Sequence, residues 1–172
     1  VLDRTLFVLG RAAAVALPQV FHAVGLLSGT GAMLGSTFLP MHIPVFLAGF
    51  LGGPVAGLVT GAVSPLLSFA ISGMPAAAML PFMMAELAGY GLVSGLLIKV
   101  KMPVFFKLLI AQVGGRVLRA IAILAAVYGF GSQTVQLSQI WNIVLPALPG
   151  ILLQWALIPL LLYRIKELNF YE

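Results

Sequence analysis

The stretch PMHIPVFLAGFLGGPVAGLVTGAVSPLLS, residues 40–68, contains no Asp, Glu, Lys or Arg and is interrupted once, at Gly52-Gly53-Pro54. Two apolar runs joined by so tight a turn read as two helices meeting at one edge of a bilayer. Strands are not expected. The runs lack the period-2 alternation of a membrane barrel, and an open sheet edge cannot face lipid. The rest of the chain agrees with this reading: 62% of its 172 residues are hydrophobic and 8% are charged, against about 45–50% and about 25% in soluble domains. So few charges cannot cover a soluble surface.

Working outward from residues 40–68 gives six spans. The first covers residues 6–27 and is followed by the polar, glycine-rich loop SGTGAMLGST. The second and third cover residues 40–51 and 55–71, and the fourth runs from the Ser72-Gly73-Met74-Pro75 break to residue 98. The basic linker Lys99-Val-Lys101-Met-Pro103 leads into the fifth, residues 104–128, and the sixth covers residues 141–163. The expected fold is an all-α membrane protein, a compact bundle of six transmembrane helices forming a single domain over residues 1–172. The first apolar run lacks a clear small-residue cleavage pattern and is expected to be a span, not a removed signal. There is no cysteine, which excludes disulfides and thiolate metal sites.

Orientation follows from lysine and arginine. With the N-terminus cytoplasmic, Arg4, Arg11, Lys99, Lys101, Lys107, Arg164 and Lys166 all fall at the inner face, and the three outer loops carry no basic residue. Both termini are therefore expected inside. The net charge of +5 is then mostly topology, with lipid headgroups as its counterpart, and no nucleic-acid partner is implied.

Three charged residues do not fit the inner face: Glu86, Arg116 and Arg119. Counted from Lys107 at ~1.5 Å per residue, Arg116 lies ~13 Å deep and Arg119 ~18 Å; counted from Pro75, Glu86 lies ~16 Å deep. Intramembrane ions face a bundle interior or a cavity. Depth matching pairs Glu86 with Arg116, an arrangement that a purely structural role would also explain. Arg119 is then left needing backbone carbonyls, a loop or an anionic ligand. Gly114 and Gly115 beside them permit close approach.

Small residues recur at four-residue spacing, at Ala12 and Ala16 and again at Gly49, Gly53, Gly57 and Gly61. Such stripes let helices pack closely. Near the cytoplasmic end, Ala12 and Ala16 also offer a groove to a partner helix. Uncharged polar residues, among them His42, Gln139 and Asn142, gather toward the outer side, and Trp141, Tyr128 and Tyr163 sit at span ends as interfacial anchors. His22 and His42 are too few for a metal site. No cofactor is implied. The chain lacks a GxxxxGK[ST] phosphate loop and any Ser–His–acid or HExxH constellation, so ATP hydrolysis and other enzymatic chemistry are not expected of it. It also lacks the inverted repeat of a stand-alone secondary transporter.

Residues 40–68, together with GMPAAAMLPFMMAELAGYGLVSGLL at residues 73–97, resemble the membrane-embedded S components of energy-coupling factor (ECF) vitamin transporters. The likeness is most specific from Leu47-Ala48-Gly49 through Gly52-Gly53-Pro54 and includes the first-span AxxxA at Ala12–Ala16. It implies a six-helix subunit in a prokaryotic cell membrane that captures a vitamin or precursor from outside. Partners implied are a transmembrane coupling subunit, touching the AxxxA face, and two cytoplasmic ATPase subunits. Pro18 follows that face closely and departs from a regular helix there. By loop pattern the chain looks most like pantothenate-type members, and an arginine without an acid suits a carboxylate ligand. The expected substrate site comprises Arg119, Arg116, Glu86, His42, Asn142, Gln139, Trp141 and Gln154. The alternatives are a neutral ring substrate, a pyridoxine or thiamine precursor stacked on Trp141 and Tyr128, or a structural or regulatory membrane subunit without a ligand.

Overall fold

The computed structural model describes residues 41–132, 135–142 and 144–168. The first span, with Ala12 and Ala16, lies outside these residues. Among them there is no strand, and four helices follow in order. Helix α1 is His42–Ser72, α2 is Leu80–Leu96, and α3 is Val104–Leu124, prolonged by a π-helical turn at Ala125–Gly129. A 3₁₀ turn at Leu137–Ile140 precedes α4, Leu148–Leu168.

Helix α1 is two arms, residues 42–52 and 54–72, broken at Gly53 with φ 90° and ψ −179°. That backbone conformation is essentially restricted to glycine, and Pro54 starts the second arm where its missing N–H costs nothing. The chain reverses at this point. A Cβ placed on Gly57 would lie 2.8 Å from the Cα of Gly49, whereas eight residues of continuous helix span about 12 Å. The second arm ends at Gly73, whose left-handed conformation (φ 70°) directs its N–H to the Phe69 carbonyl at 2.8 Å.

Helix α2 runs antiparallel to the second arm along a seam without side chains. Gly95 meets the backbone of Gly53 and Pro54, Gly91 meets Gly57, and Gly61 meets the Leu87 carbonyl. At Gly49, Gly57 and Gly61 the glycine spacing read from the sequence is therefore internal packing against α2, while at Gly53 an added Cβ would meet nothing within 4 Å. On its other side α2 packs against α3, where Gly89 faces Gly115 and Gly114 faces Val93.

The first arm packs on α2: its Gly49 lies against Gly91 and Ser94, and the rings of Phe46 and His42 lie 5.0 and 5.2 Å from that of Tyr90. From His42 to Gly52 the arm covers about 16 Å. The second arm, at roughly 28 Å, is long enough to cross.

The main core joins all four helices through Val45, Phe46, Leu87, Tyr90, Leu108, Ala111 and Ile158. A smaller cluster of Phe82, Ile123 and Val135 joins the far ends of α2 and α3. Helix α3 buries Leu108, Ala111, Gln112, Gly115 and Arg119 and exposes Val113, Val117 and Ile121 on its opposite face, each by more than half. This polar-inward, apolar-outward arrangement is the one a lipid solvent selects. By length and composition, α1 and the helix spanning Val104–Gly129 suffice to cross a membrane.

The sixth helix starts at Leu148, seven residues later than the sequence suggested. Residues 144–147 run in turns, and Pro149 sits in the first turn of α4, where its missing N–H costs nothing; Pro159 lies farther inside the helix. Trp141 and Asn142 therefore belong to the connection between α3 and α4.

Candidate functional site: a polar cluster within the bundle

The polar residues of α3 fall on one face. Gln112, Arg116 and Arg119 follow at i, i+4 and i+7, the spacing that stacks side chains along a helix. Gln112 and Arg119 are buried at 7% and 6% exposure. Arg116, between them, is partly buried.

Glu86 of α2 reaches Arg119, not Arg116. The Arg119 Nη1 donates to Glu86 Oε2 at 2.6 Å, and the Tyr90 hydroxyl donates to Glu86 Oε1 at 2.5 Å. Glu86 is itself buried at 4% exposure, so both carboxylate oxygens are satisfied by charge-assisted or short hydrogen bonds. The pairing expected from depth, Glu86 with Arg116, is thereby overturned. Counting rise from each helix end ignores where α2 and α3 cross. Their contact is set by Gly89 against Gly115 and by the Gly115 position packed on the Tyr90 ring and the Glu86 carbonyl. One turn beyond that crossing, the residue aimed at Glu86 is Arg119.

Arg116 has no hydrogen-bonded or ion-paired partner among the described residues. Among the described residues, one acid stands against two guanidiniums in this cluster, and the buried Nε of Arg119 has no acceptor. A second polar group spans α3 and α4: Trp155 Nε1 donates to Gln112 Oε1 at 2.8 Å, and Gln112 Nε2 donates to Gln154 Oε1 at 2.9 Å. Phe105 holds the Trp155 ring edge-on at 5.3 Å. His42 completes the cluster from the start of the first arm, buried at 3% exposure against Tyr90.

The family model of the ECF transporter substrate-specific component matches residues 13–165. The chain belongs to that family. No curated protein and no solved structure matches it. As an ECF substrate-specific component, it is the substrate-binding subunit of a membrane transporter and not an enzyme; the family takes vitamin-type substrates and works with ECF partner subunits.

Of the residues singled out in the sequence, this S component brings together Glu86, Arg116, Arg119, His42 and Gln154. It sets Gln139, Trp141 and Asn142 in the connection between α3 and α4, with Trp141 exposed at 75%. Tyr90, Gln112 and Trp155 were not foreseen as members. Tyr90 stands four residues after Glu86, and Gln112 four before Arg116, and that spacing was the available signal. Nothing local marks Trp155, which enters only through the packing of α4 on α3.

Proposed function

We propose that this S component captures a small vitamin or vitamin precursor bearing a carboxylate, with pantothenate the best fit, and that Arg116 holds the acid. The reading is carried by one observation. Glu86 is engaged by Arg119 and Tyr90, so Arg116 is the guanidinium on the inward-facing stretch of α3 that lacks an anion among the described residues. An unpaired cation inside a bilayer is costly, and a substrate carboxylate would relieve that cost on binding. Two buried donors on α3 and α4, Arg119 Nε and Gln154 Nε2, have no acceptor among the described residues, which suits an acceptor-rich anion. In this scheme Arg119 and Glu86 form the wall of the site.

Release to the inside is assigned to a transmembrane coupling subunit, docking on Ala12 and Ala16, and to two cytoplasmic ATPases, in the cell membrane of a prokaryote. The test is mass spectrometry of small molecules that co-purify with the solubilised protein, followed by titration with pantothenate and with pantothenyl alcohol, which has a hydroxyl in place of the carboxylate. A near-equimolar acid and a strong preference for pantothenate are expected. Equal binding of the acid and the alcohol overturns the assignment.

A further inference from the structure

The Trp155–Gln112–Gln154 relay has a fixed direction. An indole N–H donates and offers no lone pair, so Gln112 must turn its Oε1 toward Trp155, as the 2.8 Å contact requires. Its Nε2 is thereby directed at Gln154, which must answer with Oε1, at 2.9 Å. Flipping Gln112 would set two donors face to face at Trp155, and flipping Gln154 would do the same at Gln112. The orientation of both amides, ordinarily a choice between near-identical shapes, is dictated here by one indole. What emerges at the far end is Gln154 Nε2, on a side chain 1% exposed, with no acceptor among the described residues. Buried donors are rarely left unsatisfied without a reason.

We infer that Gln154 presents this donor to the substrate, and that Trp155 and Gln112 are positioning residues that fix its polarity. The inference rests on the reading of the cluster as the substrate site. Gln112 and Arg116 are one turn apart on one face of α3, so the acceptor received by Gln154 and the acid held by Arg116 are separate groups of one ligand. The substrate class is accordingly narrower than a carboxylate: an acid carrying a second hydrogen-bond acceptor, of the amide-carbonyl kind, a few bonds away. A donor-only or apolar group in that place would leave Gln154 unsatisfied.

The test uses the full chain in nanodiscs with glutamine side-chain amides labelled with ¹⁵N, and with Gln154→Leu to assign the Gln154 signal. N,N-dimethylacetamide, which accepts but has no N–H, is the acceptor probe, and pyrrole, an N–H donor without a lone pair to offer, is the control. In the wild type, N,N-dimethylacetamide should shift the Gln154 amide saturably and pyrrole should not. In Trp155→Phe the relay is free to invert, so N,N-dimethylacetamide should bind about tenfold more weakly and the preference over pyrrole should vanish, a change that loss of packing alone does not produce. An unmoved Gln154 signal in the wild type overturns the inference, as does a Trp155→Phe variant with the wild-type preference; the first needs no variant to fold. A wild type that shows the N,N-dimethylacetamide response yet binds pantothenate and its alcohol equally keeps the Gln154 assignment and loses the acid reading at Arg116.

Discussion

Arg119 and Glu86, 33 positions apart in the chain, meet at 2.6 Å inside the bundle while Tyr90 occupies the second carboxylate oxygen. Removing one member of such a pair leaves the other as an uncompensated buried charge, at a cost of about 3–5 kcal/mol. Arg119→Gln and Glu86→Gln should therefore each destabilise the protein strongly, and the double variant should cost less than their sum because neither charge is stranded. Tyr90→Phe should cost about 1.5–3 kcal/mol, a hydrogen bond to a charged group. Unfolding in mixed detergent measures all four. An Arg119→Gln protein as stable as the wild type would show that the pair does not hold the bundle together.

The same pair shows how far the sequence could be read. That Glu86, Arg116 and Arg119 face inward followed from the cost of charge in lipid, and α3 does turn that face to its neighbours. Which arginine takes the acid depended on a helix crossing, and the crossing is set by Gly89 and Gly115, whose contact no spacing rule supplies. The turn at Gly52-Gly53-Pro54 was legible because glycine and proline act locally. The packing of the first arm on Tyr90 and Gly91 was not, because it depends on contacts between segments distant in the chain. Trp141 and Asn142 were drawn into the site by their position beside an apolar run, and α4 starts past them, at Leu148.

For Arg116 the expected outcome is the converse of that for Arg119. With no partner to strand among the described residues, Arg116→Gln should leave thermal stability near the wild-type value. Pantothenate binding should fall by about 2–5 kcal/mol, roughly thirty-fold to several thousand-fold. Titration calorimetry on the solubilised protein reads both affinity and active fraction. Unchanged affinity in a folded Arg116→Gln protein would remove the arginine from the site.

Topology has its own test. Lys107 Nζ reaches back to the Ile98 carbonyl at 3.0 Å, closing the basic linker between α2 and α3 into one unit with Lys99 and Lys101 beside it. Labelling tags at both termini and within residues 100–102 should report the cytoplasm, and a tag at Ser72-Gly73 the outside. An outside signal from residues 100–102 would invert the bundle.

Ala12 and Ala16 lie outside the described residues, and their role is tested by function. Bulky replacements, Ala12→Leu with Ala16→Leu, should abolish ATP-dependent uptake while leaving substrate binding to the isolated subunit within about threefold, under 1 kcal/mol. Binding lost in parallel with uptake would make the stripe internal packing.

The glycines of α1 separate two kinds of constraint that the sequence alone presents as one stripe. At Gly57 an added Cβ would run into the Gly91 backbone, whereas at Gly53 it would meet nothing within 4 Å. Gly57→Ala must therefore push the second arm and α2 apart, and the damage should grow with size from Ala to Val to Leu, starting at about 1–3 kcal/mol. At Gly53 the cost lies in holding a side-chain-bearing residue at φ 90°, of order 1–3 kcal/mol, and Ala and Leu should cost nearly the same. Gly91→Ala should behave like Gly57→Ala, and combining the two should cost less than their sum, since the first has already opened the seam. Thermal unfolding of the seven variants resolves the two patterns. A size-dependent series at Gly53 would mean that something packs against the turn, and a flat series at Gly57 would mean that the two backbones do not touch.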